Sequence, residues 1–132
     1  MGRTEQPGLV HLDTHVLIWL FEGKDEQFSP AARTLIERGP CCISPMVRLE
    51  LQYLYEIGRN DLDAETVLAA LRQIMDLGIA RADFDAVVQS ALPLTWTRDA
   101  FDRLITAHAQ HDGAVLVTRD RRIRENFTGA VW

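Results

Sequence analysis

The sequence predicts a single α/β domain built on a mostly parallel sheet. Three observations carry that prediction. Short apolar runs alternate with longer segments of helical period along the whole chain. Helix start signals recur between them: Ser29-Pro30 and Ser44-Pro45 each read as an N-cap followed by a proline at N1. The 132 residues, 47% of them apolar, suit one hydrophobic core.

The elements follow in order. Leu9 to Leu12 is the first strand, and Val16, Leu17, Trp19, Leu20 and Phe21 mark the helix after it. Ser29-Pro30 starts a second helix that ends at Gly39. Cys41 to Ile43 is the second strand, and Ser44-Pro45 starts a helix running to Gly58. Asp63 caps a helix through Met75, and Ile79 to Ala82 is the third strand. Asp83 begins a short helix ending near Ala91. Asp99 stands as N-cap of the most amphipathic helix, Ala100 to His111, in which Phe101, Leu104, Ile105 and His108 follow the helical period. Ala114 to Val117 is the fourth strand; a brief helix from Arg121 and a strand at Val131-Trp132 complete the domain. Residues 1–8 are polar and read as a flexible lead. They lack the apolar centre of a signal peptide, and no apolar run approaches the ~20 residues of a membrane span. A soluble, cytoplasmic protein is expected. The adjacent Cys41 and Cys42 have no metal or redox spacing and read as small buried residues.

Five acids sit at element junctions rather than on solvated faces: Asp13, Glu50, Asp99, Asp102 and Asp120. Asp13 and Asp120 each follow an apolar strand. In open parallel sheets, ligands bind beyond the carboxyl ends of strands, where strand order reverses. If the first and fourth strands are neighbours, these two carboxylates converge. Asp99 and Asp102 are three apart and share one face at a helix start. Glu50 lies about 9 Å along its helix from Ser44, at 1.5 Å per residue, among Val47, Leu49, Leu51 and Leu54. Carboxylates crowded together repel unless a cation neutralises them, and oxygen-only donors select Mg²⁺ or Mn²⁺ over zinc. Two such ions about 4 Å apart can activate a water and steady the leaving oxygen of a phosphodiester.

Each acid also has a structural reading. Asp13, Asp99 and Asp120 suit helix caps or turns. Asp102 suits the first turn of a helix, and Glu50 could pair with Arg48 or Arg119. Thr118 and Ser44 offer hydroxyls that can orient carboxylates; His11 and His15, flanking Asp13, read as core or supporting residues. His108, His111 and Asp112 resemble half a zinc site that lacks further ligands of matching spacing. The net charge of −5 argues against a generic nucleic-acid binder. Thirteen of the fourteen basic residues are nevertheless Arg, and Arg119, Arg121, Arg122 and Arg124 cluster after the fourth strand. They form either a solvated helix face or a basic rim for a polyanion.

Together, Leu12-Asp13-Thr14-His15, Ser44-Pro45 with Glu50, Trp96 to Arg103, and Val117-Thr118-Arg119-Asp120 resemble a PIN domain, more closely the VapC-like toxins of toxin–antitoxin pairs. The resemblance runs from about Leu9 to Trp132 and implies one PIN domain over residues 1–132, folded as a three-layer α/β/α sandwich. It implies Asp13, Glu50, Asp102 and Asp120 as catalytic and metal-holding acids around Mg²⁺ or Mn²⁺, with Thr118 and the accessory acid Asp99 beside them. It implies an endoribonuclease, for which the expected mechanism is a Mg- or Mn-activated water. In that reading the clustered Arg119, Arg121 and Arg122 are the expected RNA contacts. The resemblance also implies homodimers and inhibition by a cognate antitoxin. Ala100 departs from the proline frequent in relatives but suits N1 equally. The alternative is a catalytically silent PIN-like module that binds RNA or protein. A receiver-type phosphoacceptor expects a lysine at a late strand end, whereas Lys24, the only lysine, lies early. A HAD-type phosphatase expects Asp-x-Asp where this chain has Asp13-Thr14-His15.

Overall fold

Each strand is a short, mostly apolar run of two or three residues: β1 Val10–Leu12, β2 Cys41–Ile43, β3 Leu77–Ile79, β4 Val115–Val117 and β5 Ala130–Val131. In the computed structural model, which describes residues 8–132, they form one sheet in the order β3-β2-β1-β4-β5 with every neighbouring pair parallel. The expected flexible lead, but for Gly8, lies outside the described residues. Among the described residues, seven helices connect the strands: α1 Thr14–Glu22, α2 Pro30–Arg38, α3 Pro45–Glu56, α4 Ala64–Arg72, α5 Phe84–Ala91, α6 Ala100–His111 and α7 Arg121–Asn126. A 3₁₀ turn at Asp25–Gln27, absent from the sequence reading, follows α1.

The pleat of β1 sorts the layers. Val10 and Leu12 are fully buried in the core with Val16 and Leu17 of α1, Val47 and Leu51 of α3, and Leu68 and Leu71 of α4. Val47 and Leu51 are four apart, one stripe of α3 turned to the sheet; fully burying each contributes roughly 2 kcal/mol. His11 points to the other face, where α6 covers it, and α5 packs on α6 through Val87, Ala91 and Ala107. Arg103 ties that pair, its guanidinium donating to the carbonyls of Ala91 and Leu92 at 2.9 Å each.

Helix starts match the sequence signals. Ser29, Ser44, Asp63, Asp83, Asp99 and Asp120 are N-caps whose side chains accept from backbone N–H groups two or three residues on. Gly23 closes α1 at φ 69°, a left-handed conformation costly for other residues. The first and fourth strands begin one residue late, at Val10 and Val115, and the Ser44 helix ends at Glu56 rather than Gly58. Three further boundaries also differ from expectation. The helix after Asp63 ends at Arg72, because the N–H groups of Ile74 and Met75 both donate to the Leu71 carbonyl and the chain unwinds there. The third strand is Leu77–Ile79 rather than Ile79 to Ala82. Its register is set by β2, Leu77 opposite Cys41 and Ile79 opposite Ile43, which places Gly78 mid-strand despite its weak propensity. The last strand is Ala130–Val131, one residue early, because Val131 pairs with Val117.

The order places β1 against β4, with Leu12 opposite Val117. The chain leaves β1 toward β2 on one side and returns to β4 on the other, so the topological switch lies between them. The Asp13 N–H extends the ladder by donating to the Val117 carbonyl at 3.1 Å. Asp13 and Thr118 therefore emerge side by side.

Candidate active site

Three helices, α1, α6 and α7, are each capped by one of the acids singled out in the sequence. Asp13 caps α1, its Oδ1 accepting from the Thr14 N–H at 2.8 Å. Asp99 caps α6 by accepting from the Asp102 N–H at 3.0 Å, which places Asp102 in the first turn. Asp120 caps α7 by accepting from the Ile123 N–H at 2.9 Å. The capping and clustering readings are thus compatible: in each acid a single carboxylate oxygen serves the helix N-terminus. The positive ends of three helix dipoles offset part of the mutual repulsion.

Thr118 is fully buried and bonds both sides of the switch point. Its hydroxyl donates to Asp13 Oδ2 at 2.7 Å and accepts the Asp120 N–H at 3.0 Å. Glu50 reaches the same place from α3. Its Oε1 accepts the Thr14 hydroxyl at 2.5 Å. Neither arginine proposed as its partner takes it: Arg48 forks onto Glu65 at 2.6 and 2.7 Å, and Arg119 bonds the Gln27 side chain.

The acids perturb one another. Burial, then the charges of Asp99, Asp13, Asp120 and Glu50, push Asp102 up to about 7. Burial pushes Glu50 up to about 6, with Asp13, Asp99 and Asp120 adding to the rise and the Thr14 hydroxyl opposing it. Five carboxylates therefore share one field, including Asp99, placed in the sequence as an accessory. The donor set is all oxygen, which suits a hard divalent ion. Among the described residues, no three His, Cys, Asp or Glu side chains stand close enough to cage a metal directly.

Other predicted residues fall elsewhere. The Ser44 hydroxyl caps α3 through the Met46 N–H at 3.1 Å and meets His108 Nδ1 at 3.3 Å; no carboxylate is among its partners. Asp112 joins His11 as well as His108, with Oδ2 at 2.8 Å from His11 Nε2 and 3.6 Å from His108 Nε2, while His111 is exposed. Burial lowers the pKa of both buried imidazoles. Cys41 and Cys42 are buried free thiols, pushed up by burial to about 11 and about 12. Arg119, Arg121 and Arg122 are exposed beside Asp120, and Arg121 is tied to Glu125 at 2.8 Å. Thr14 was not singled out in the sequence. Its only signal is a hydroxyl directly after Asp13, and its partner lies 36 residues away.

A profile of the PIN domain family matches residues 10–126. Ribonuclease VapC22 of Mycobacterium tuberculosis is 35% identical over 122 residues, 89% of this chain and 91% of that protein. Similar solved structures include VapBC2 of Rickettsia felis bound to a promoter DNA fragment, with TM-score 0.66 and 18% identity over 93% of this chain and 96% of that one. DNA-bound VapBC of Salmonella typhimurium superposes with TM-score 0.60 and 24% identity over 93% and 95%. A toxin–antitoxin complex of Klebsiella pneumoniae gives TM-score 0.61 and 19% identity over 93% and 96%.

Proposed function

Since this chain belongs to the PIN domain family, we propose that it is a Mg²⁺- or Mn²⁺-dependent endoribonuclease, the toxin of a toxin–antitoxin pair. The observation that carries the chemistry is the convergence of Asp13, Glu50, Asp102 and Asp120 at the switch point, with two of them pushed toward neutral pH by burial and by the other carboxylates. The 35% identity to a protein named a ribonuclease supports RNA as substrate, and the solved toxin–antitoxin relatives support a protein antitoxin as partner. Homodimer formation and action in the cytoplasm belong to the same proposal.

The chain's own residues define the division of labour. Asp13, Asp102 and Asp120 would hold the ion, directly or through water, with Asp13 oriented by Thr118. When bound, the ion lowers the pKa of a water and offsets charge developing on the phosphate. Glu50, with Oε1 engaged by Thr14, has Oε2 left to help hold the ion or to take a proton. Arg122 is exposed two residues after Asp120 and would receive phosphate, while Arg119 must leave Gln27 and Arg121 must leave Glu125 to do so.

The test is cleavage of total RNA by purified protein with end mapping. Cleavage is expected with Mn²⁺ or Mg²⁺, lost in excess EDTA, and reduced about a hundredfold or more by Asp13→Asn. Undiminished cleavage in EDTA removes the metal mechanism. A Mn²⁺-loaded protein that binds RNA yet never cuts it would establish the silent binding module instead.

A further inference from the structure

His15 joins the two sides of the acidic cleft. It stands in the first turn of α1, two residues after Asp13, with its side chain 30% exposed. Its Nε2 lies 3.0 Å from the backbone N–H of Arg119. A backbone N–H only donates, so Nε2 must accept and carries no proton. The ring in this arrangement is therefore the neutral tautomer with its hydrogen on Nδ1. Nδ1 faces Asp13 Oδ2 at 3.6 Å, a polar contact longer than a hydrogen bond. The ring is held edge-on against Trp19, centroids 4.9 Å apart.

Arg119 lies between Thr118, which bonds Asp13, and Asp120, which caps α7. The loop is thus fastened to the β1–α1 side by two independent ties: the Thr118 hydroxyl on Asp13 and the Arg119 N–H on His15. The Arg119 side chain adds a third contact, donating to Gln27 Oε1 at 2.6 Å with its guanidinium carbon 5.8 Å from the Trp19 ring centre. We propose that His15 is a positioning residue that fixes the separation of Asp13 and Asp120 by holding the Arg119 backbone. The inference rests on the reading of these acids as one cation-dependent site. It assigns to His15 a function that packing against Trp19 alone would not require, since a phenyl ring would pack equally well.

Three variants of the full chain separate the two roles. His15→Gln can place Oε1 near the Nε2 position and keep the Arg119 tie. His15→Asn can keep a donor near Asp13 but cannot reach Arg119. His15→Phe keeps only packing. Mn²⁺ affinity, measured by titration calorimetry, is expected to stay within about threefold of wild type in His15→Gln and to weaken about tenfold in His15→Asn and His15→Phe. Exchange of the Arg119 amide hydrogen is expected to be slow in wild type and His15→Gln and fast in the other two. Imidazole ¹⁵N shifts at neutral pH are expected to report the Nδ1–H tautomer. Wild-type Mn²⁺ affinity in His15→Phe, or an Nε2–H tautomer, overturns the proposal. If wild type binds no Mn²⁺ at all while the tautomer and exchange results hold, the acid-site reading has failed and His15 is a loop tie without a metal role.

Discussion

Thr14 shows what one hydroxyl contributes in a crowded acidic cleft. It is buried beside Asp13, and its bond to Glu50 Oε1 is the contact that lowers the Glu50 pKa against burial and three neighbouring acids. Thr14→Val removes the donor while keeping the shape, so Glu50 should rise above about 6 and hold its proton at higher pH. Mn²⁺ affinity at pH 7 is expected to fall about tenfold, and the acid limb of the cleavage profile to move upward. An unchanged profile would show that the Thr14 bond is absent in solution. This role was not legible in the sequence, because it depends on α3 bringing Glu50 across the cleft. Asp13 and Thr118 were legible because each follows a strand, and adjacent parallel strands bring their ends together.

At the scale of elements, capping and site-building use the same residues. The sequence set a structural reading beside a metal reading for Asp13, Asp99 and Asp120, and the structure shows all three as caps within one acidic field. Asp99 allows the two roles to be separated. Asp99→Ser keeps an oxygen for the Asp102 N–H and should leave stability nearly unchanged; Asp99→Ala should cost about 1 kcal/mol. Both remove the charge that, after burial, contributes most to the raised Asp102 pKa. Both should therefore bring Asp102 down from about 7, measurable by carboxyl ¹³C titration in metal-free protein. A drop with Ala but not Ser would tie the shift to the cap rather than to charge. Helix starts were legible because a capping side chain acts within three residues. The position of β3 was not, because pairing with β2 sets it and overrides the poor strand propensity of Gly78.

For the whole molecule, the acid cluster lowers stability near neutral pH, and the sign follows from the shifts. An unfolded chain releases the Asp102 proton near 3.8 and the Glu50 proton near 4.5, whereas the folded protein holds them to about 7 and about 6. Between those values the native state binds more protons, so stability falls as pH rises from about 4 to about 7 and stays lower above that. His11 and His108 act oppositely. Their folded pKa values lie below 6.5, so the unfolded state takes up protons first and stability falls as pH drops through that region. A single pH scan of metal-free protein mixes the two effects; a difference between two proteins isolates the acids. In EDTA, Asp102→Asn should match the wild-type Tm near pH 3, below both Asp102 values, and exceed it at pH 7.5 by on the order of 10 °C. Saturating Mg²⁺ should stabilise wild type increasingly over the same interval and Asp102→Asn much less, because the ion favours the charged acids that crowding disfavours. A metal-free Asp102→Asn less stable than wild type at pH 7.5 would mean that the Asp102 charge holds the fold together rather than straining it.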